Sequence, residues 1–220
     1  MKVACLLSGG KDSLFSFFLI KHYSWDISCF ITIDSKNKSS YLFHTPKISK
    51  TKEISDSLNI PLIVQETKGE KEDELDDLRI AIKKAIKEYQ IQGIVVGAIK
   101  SEYQRIRMNE VCYENNIKFF APMWHKDEKT LLKEMIHSDF KIVFSGIFAY
   151  GLNTNMLGKE IDYKIFKELE KINDKMQISF CGEGGEYESL VIDMPDYLNP
   201  IDIKNSKKEI ESDIVGYLSD

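Results

Sequence analysis

The chain has 220 residues, of which 43% are hydrophobic and 30% charged, and its formal net charge is −5. That length allows one large domain, or one medium domain plus a small one, and the composition excludes global disorder. The acidic balance counts against a broad nucleic-acid surface, no apolar stretch is long enough to span a membrane, and the four scattered cysteines form no CxxC pair for zinc or an iron–sulfur cluster.

Val3 to Leu7 is a short apolar run and predicts a buried strand. Leu14 to Ile20 is apolar almost all round and predicts a buried helix starting near Ser13. Between them stands Ser8-Gly9-Gly10-Lys11-Asp12-Ser13. A glycine-rich turn after a strand can aim several backbone N–H groups at one anion. The helix start adds further N–H groups and the positive end of its dipole. This is a phosphate cradle, but not a Walker A loop: Cys5 replaces the first glycine and Asp12 follows Lys11 where a hydroxyl belongs. No third glycine completes a dinucleotide fingerprint. The hexapeptide instead resembles the SGGKDS loop of the PP-loop ATP pyrophosphatases, which cut ATP between the α and β phosphates. Because that loop interrupts the first apolar run at once, a signal peptide is not expected.

Ile27 to Ile33 predicts a second strand ending at Asp34. Thr45 and Pro46 suit a helix start, with that helix running to about Leu58. His44, just before it, is either an acid–base or phosphate-contacting group or a structural histidine. Leu62 to Gln65 predicts a third strand. Thr67-Lys68-Gly69-Glu70 has the form of a capping box, opening a helix whose apolar face is Leu75, Leu78, Ile82, Ile86 and Tyr89. Its acidic first turns, Glu70 to Asp77, read as a solvated face favoured by the dipole rather than a metal site.

Gly93 to Gly97 is the fourth strand. Ser101-Glu102-Tyr103-Gln104 is a second capping box, opening a helix to about Asn115. Arg105 and Arg107 oppose that helix dipole, which an anionic partner would offset. A phosphate is the simplest candidate, and surface ion pairs are the alternative. Ile117 to Phe120 is the fifth strand, closed by Pro122-Met123-Trp124. Regular β-α alternation means a parallel sheet with helices on both faces, and ligands in such sheets sit beyond the C-terminal strand ends. The glycine loop, Asp34, Gly97 to Gln104 and Pro122 to Trp124 all follow strand ends and are expected to converge on one edge.

The second half changes character. Asp127 to His137 and Asp162 to Asp174 predict helices, and Lys141 to Ile147 and Ser189 to Asp193 predict strands. Tyr150-Gly151-Leu152-Asn153 is a loop. Cys181-Gly182-Glu183-Gly184-Gly185-Glu186-Tyr187-Glu188 packs three glycines and three glutamates into eight residues. Such density suggests close backbone approach and a cation, an amine or a proton to be handled, against the plainer reading of a flexible acidic loop. Beyond Pro200 only weak strand signals remain, Ile201 to Ile203 and Ile214 to Leu218.

From Met1 to about Asp193 the chain resembles the diphthine–ammonia ligase family, the diphthamide-synthesis branch of the PP-loop superfamily. The resemblance rests on Ser8 to Ser13, Ser40-Tyr41 with His44-Thr45, Gly69 to Glu72, Gly97-Ala98 with Tyr103-Gln104-Arg105 and Arg107, Pro122 to Trp124, Tyr150 to Leu152, and Gly182 to Glu188. Asn153 and Ser189 depart from the family pattern, where aspartate and threonine are expected.

The resemblance implies a five-stranded Rossmann-like ATP-binding domain over residues 1–121 and a smaller α+β substrate domain over 122–220. It implies ATP-dependent amidation of diphthine on translation elongation factor two, through an acyl-adenylate, with ammonium as nitrogen donor and AMP and pyrophosphate released. ATP and Mg²⁺ are the implied cofactors. Ser8, Gly9, Gly10, Lys11, Asp12, Ser13, Asp34, Gly97, Tyr103, Gln104 and Arg105 are expected at the nucleotide, with Asp12 also at the metal. Lys11, Asp12, Glu183 and Glu186 are expected in the chemistry. His44, Trp124, Tyr150, Gly184, Gly185, Tyr187 and Glu188 are expected at the acceptor. A cytoplasmic protein without membrane contact follows, and the oligomeric state, a homo-oligomer included, is left open. Two other readings stay in play. One is a PP-loop tRNA-modifying adenylase or thiolase, in which Cys112 and Cys181 would have to meet. The other is a non-catalytic ATP-binding module.

Overall fold

The computed structural model describes residues 1–35, 48–68 and 73–219. The chain divides into two compact units, Met1–Trp124 and His125–Asp220. The first unit alternates β1 (Lys2–Leu6), α1 (Lys11–His22), β2 (Asp26–Ser35), α2 (Ile48–Leu58), β3 (Leu62–Thr67), α3 (Asp73–Tyr89), β4 (Gly93–Val95), α4 (Glu102–Glu114) and β5 (Lys118–Phe120). Its sheet has the order β3-β2-β1-β4-β5, and every neighbouring pair is parallel. This is the α/β architecture expected from the alternation.

The order explains where a ligand belongs. The chain steps from β1 outward to β3, then returns to the other side of β1 for β4 and β5. The loops after β1 and β4 therefore diverge, and a crevice opens between them at the C-terminal edge. The β2–β3 ladder runs on past the end of β1, pairing Ser35 with Thr67, whereas β1 ends its pairing with β2 at Leu6 and Ile31.

Both faces of the sheet are covered. On one, α3 and α4 bury Leu75, Leu78, Ile82, Met108 and Val111 against Ala4, Ile31, Ile33, Ile63 and Ile94. On the other, Phe17 of α1 meets Phe30 of β2, with ring centroids 5.3 Å apart. Helix α1 is buried along most of its length and turns basic and exposed only at Lys21 and His22.

The structure corrects one helix start. Thr67 does not cap α3; it is the last residue of β3, 3% exposed and paired with Ser35. A hydroxyl followed by a glutamate three residues on reads as a box in sequence, but Thr67 closes the β2–β3 ladder and α3 begins only at Asp73. Ser101, by contrast, caps α4 as expected, accepting the Gln104 N–H at 3.3 Å. The helix start at Thr45-Pro46 lies outside the described residues.

The second unit contains α5 (Glu128–His137), β6 (Lys141–Ile147), a short 3-10 turn (Thr154–Met156), α6 (Tyr163–Met176), β7 (Tyr187–Asp193), β8 (Lys207–Ser212) and β9 (Val215–Ser219). Its antiparallel sheet has the order β7-β6-β9-β8. Asp127 and Asp162 cap the two helices through the N–H groups of Thr130 and Ile165. Ile201 to Ile203 forms no strand. One of the two edge strands is β8, Lys-Lys-Glu-Ile-Glu-Ser, exposed along its whole length. An edge strand with both faces in water lacks the apolar alternation that marks strands in sequence.

Candidate functional site: a glycine-rich anion cradle and an ordered acidic loop

The cradle is built by the chain direction at the end of β1. Gly9 has φ +81°, a left-handed conformation that glycine adopts at no steric cost. Gly10 is the N-cap of α1 and makes no side-chain cap bond. The end of the helix is therefore closed by backbone rather than by a capping carboxylate or hydroxyl at that position, which suits approach of an anion. Ser13 stitches the turn: its Oγ donates to the Gly10 carbonyl at 3.0 Å and accepts the Ser8 N–H at 3.3 Å. The Ser8 and Ser13 hydroxyls lie 3.1 Å apart.

Lys11 is 2% exposed, and its Nζ lies 2.8 Å from Asp12 Oδ2. A buried ammonium would be costly without such a partner. Asp12 thus holds the lysine beside the loop. Two more contacts fix the frame: Thr32 Oγ1 donates to the Leu7 carbonyl at 2.7 Å, and Ser16 Oγ donates to the Val96 carbonyl at 3.2 Å.

Gly97 belongs to this cradle for a steric reason. A Cβ there would stand 2.7 Å from the Asp12 carbonyl carbon and 2.8 Å from the Ser13 nitrogen. The loop after β4 is pressed onto the first turn of α1, so the two sides of the crevice touch at Gly97. Asp34 lies half-buried near the end of β2.

A second cluster stands at the start of α4. Arg105 Nε donates to Glu102 Oε2 at 2.9 Å, and the guanidinium lies 5.4 Å from the Trp124 ring centroid. Arg107 stacks on Tyr103 at 3.8 Å. Glu102 supplies the anion that the helix start called for. Arg105 keeps about a third of its side chain exposed, 36%, while its Nη2 also lies 2.8 Å from Glu102 Oε2. Gln104 contributes its backbone N–H to the Ser101 cap.

In the second unit the acidic stretch is ordered by its own carboxylates. Glu186 accepts the Ser179 N–H at 2.8 Å through Oε1 and the Gly184 N–H at 2.9 Å through Oε2. Gly185 N–H closes a turn onto the Gly182 carbonyl at 2.9 Å. A Cβ on Gly182, at φ +74°, would sit 2.7 Å from the Tyr187 carbonyl oxygen. The close approach foreshadowed by the glycines is thus the loop to itself. Tyr187 is 4% exposed, its ring packs edge-on to Phe144, and its hydroxyl donates to the Phe180 carbonyl at 2.5 Å. It is a core residue here. Glu183, Gly184 and Gly185 are exposed, and Glu188 is half-buried, paired with Gly146 in the β6–β7 ladder. Tyr150 is 76% exposed, and the Phe148 N–H donates to the Glu186 carbonyl at 2.9 Å, which brings its loop alongside.

The sequence did not single out Glu128. It is 8% exposed at the start of α5 and takes the Ser179 hydroxyl and, at 3.1 Å, the Cys181 N–H. Ser179 Oγ in turn accepts the Glu183 N–H at 2.9 Å. In sequence a glutamate in the first turn of a helix reads as an ordinary solvated acid favoured by the dipole, and nothing nearby in the chain named its partners.

His44 lies outside the described residues, as do Ser40, Tyr41, Thr45 and Gly69 to Glu72. All four cysteines are buried, and none is in a disulfide. Burial pushes the Cys29 and Cys112 thiols up to about 12, and Cys5 is raised further by burial and by its neighbour Cys29. Among the described residues no group of three or more His, Cys, Asp or Glu side chains could hold a metal ion by itself, and no helix is long and apolar enough to cross a membrane.

Two family models cover nearly the whole chain. The diphthamide synthase N-terminal domain matches residues 1–119 and the diphthamide synthase C-terminal domain matches residues 127–219. The diphthine–ammonia ligase of Danio rerio is 30% identical over 97% of this chain and 90% of its own length. That of Homo sapiens is 30% identical over 96% of this chain and 86% of its own. The Schizosaccharomyces pombe ligase is 29% identical over 89% of this chain but only 35% of its own, longer sequence. Among solved structures, a predicted subunit of tRNA methyltransferase from Methanocaldococcus jannaschii aligns over 89% of this chain and 98% of that one, at 17% identity and a TM-score of 0.46. With both halves matched in order and relatives of this identity aligned nearly end to end, the chain belongs to the diphthamide synthase family.

Proposed function

We propose that this chain converts diphthine on translation elongation factor two to diphthamide, with ATP and ammonium as co-substrates. The observation that carries the reading is the pairing of the Ser8–Ser13 cradle with diphthamide synthase matches in both halves. Relatives named diphthine–ammonia ligase support the choice of acceptor and nitrogen donor.

The chemistry follows from the poor reactivity of a carboxylate toward amines. Its oxygen attacks the α-phosphorus of ATP, a carbon–oxygen–phosphorus link forms, and the bond to the β-phosphate breaks with release of pyrophosphate. Ammonia then attacks the activated carbonyl, and AMP leaves with the carbon–oxygen bonding pair. In this scheme the Ser8 to Ser13 backbone and Lys11 take the phosphate charge, and Arg105 adds its positive charge. Mg²⁺ would be held by Asp12 together with the substrate's phosphates, since magnesium sites commonly use one or two carboxylates plus phosphate oxygens, and it would neutralise charge there. Asp34, Gly97, Tyr103 and Gln104 complete the nucleotide side. The acidic loop with Glu183, Gly184, Gly185 and Glu188, beside the exposed Tyr150, draws the trimethylammonium end of diphthine by charge and by cation–π contact. Trp124 and His44 belong to the acceptor side in the same reading. The cytoplasm, as compartment, is part of the proposal and agrees with four cysteines held as thiols rather than disulfides.

A thiolating role on tRNA draws no support from the thiols, which are all buried and of which three have strongly raised pKa values. The test is to incubate the chain with ATP, Mg²⁺, ammonium and diphthine-bearing factor, and in parallel with tRNA. Acceptor-dependent AMP and pyrophosphate with the factor are expected. ADP and phosphate as main products, or AMP with tRNA alone, would overturn the reading.

A further inference from the structure

Glu74 is a deeply buried acid near the start of α3. It is the second residue of α3 and 1% exposed, and among the described residues neither carboxylate oxygen has a hydrogen-bond partner. Buried polar groups in native proteins are almost always satisfied, and an exception calls for an ion, a water or a functional role. A bare buried carboxylate is among the more costly features a fold can carry. The first turn of a helix favours negative charge but does not replace the missing donors.

Its position can be read from periodicity. Positions 74, 78, 81 and 85 fall on one stripe of a helix. Leu78, Ala81 and Ala85 are all 0% exposed and belong to the core between α3 and the sheet. Glu74 therefore tops the stripe that faces the sheet. Across from it, Ile31, Ile33 and Ile63 are in the same core. Strand alternation puts Ser35 on the face of Ile33, and Thr67 on the face of Ile63. Ser35 and Thr67 are register partners, 1% and 3% exposed. The apolar layer under α3 thus ends, at the C-terminal edge of the sheet, in two hydroxyls and a carboxylate.

That set of groups is rich in oxygen acceptors, holds one negative charge and is closed to solvent. It suits a small monovalent cation that brings its own N–H donors. A divalent metal prefers more carboxylates or retained waters, and among the described residues no cluster of three or more such ligands is found. A methylated or longer amine would not fit a site with no exposed surface.

We propose that Glu74, with Ser35 and Thr67, forms an ammonium-binding site in the first unit. This rests on the amidation reading above for its purpose, and it moves the nitrogen donor away from Glu186, whose two oxygens are already taken by backbone N–H groups. Glu74 is a binding residue in this account, and the step it serves is delivery of the nitrogen.

The experiment uses the full chain in two arms. In the first, thermal unfolding is followed in ammonium chloride against sodium chloride and tetramethylammonium chloride at equal ionic strength. An upward shift specific to ammonium is expected for the native chain and is lost in Glu74→Gln. In the second, amidation is measured with diphthine-bearing factor. Glu74→Gln should raise the KM for ammonium about ten-fold or more, the worth of one charge-assisted contact, while acceptor-dependent pyrophosphate exchange without ammonium stays unchanged. Thr67→Val, which keeps the shape and removes one hydroxyl, should raise the same KM about two- to five-fold, as loss of a neutral hydrogen bond does, and it replaces Glu74→Gln if that variant does not fold. An unchanged ammonium KM in a native chain that forms amide would overturn the site and leave the amidation reading standing. Failure of the native chain to form amide would overturn the amidation reading, and the thermal arm would then decide the site by itself.

Discussion

Arg105 shows how one side chain can satisfy two demands. It is paired with Glu102, stacked near Trp124, and still partly exposed. We expect Arg105→Ala to lower turnover by about 2–4 kcal/mol in transition-state stabilisation, the range of a charge-assisted contact. Stability should change little, because exposed ion pairs contribute little. Steady-state kinetics at saturating ATP together with nucleotide titration decide it, and unchanged values in both would remove Arg105 from the site. Glu186 is a different case. An amide has one acceptor oxygen and its NH₂ cannot accept, so Glu186→Gln leaves the N–H of Ser179 or Gly184 unmatched. The loop should loosen at a cost of about 1–3 kcal/mol, amidation should fall sharply, and ATP affinity should hold. If ATP affinity falls in step with activity while the fold survives, the acidic loop belongs to the nucleotide. Ser8 to Ser13 was legible because all its chemistry is contiguous. Glu128 was not, because its partners Ser179 and Cys181 come from a distant part of the chain.

Helices α5 and α6 are tied by charge. Glu170 accepts from Lys129 at 2.6 Å and from Lys167 at 2.7 Å. These two ammonium groups, Lys129 first, hold its carboxyl down at about 2, against an ordinary value of 4.5. A carboxylate depressed in the folded state binds fewer protons there than in the unfolded state, so its contribution is complete above 4.5 and is lost as pH falls toward 2. Glu170→Gln should therefore lower stability at neutral pH, and the gap between variant and native chain should close between those two values. Urea unfolding at pH 7 and at successively lower pH checks this, and a gap independent of pH would mean that the lysines do not matter. At the scale of elements, the parallel sheet was legible because its strands are apolar runs between periodic helices. The capping box at Thr67 misled, since the β2–β3 ladder extends over it. Strand β8 escaped notice because an exposed edge carries no alternating pattern.

For the whole molecule, both units hide their thiols. Cys5, Cys29 and Cys112 lie in the first unit and Cys181 in the second, all buried. A thiol reagent near neutral pH should react with the native chain about a hundred-fold or more slowly than with the unfolded chain, because each unit must open first. A fast-reacting thiol in the native chain would bring the thiolase reading back. The sequence by itself determined the class of the first unit, the phosphate cradle and the family resemblance that both family models match. These depend on local periodicity and on contiguous residues, and the order of residues carries both. Only the tertiary structure decided that Gly97 is pressed against the first turn of α1, that Glu128 and Glu186 shape the acidic loop, and that Glu74, on α3, is buried. The contacts of Gly97 and Glu128 are meetings of residues far apart in the chain, set by how the elements pack, and a carboxylate's neighbours rather than its place in the sequence determine what it can hold.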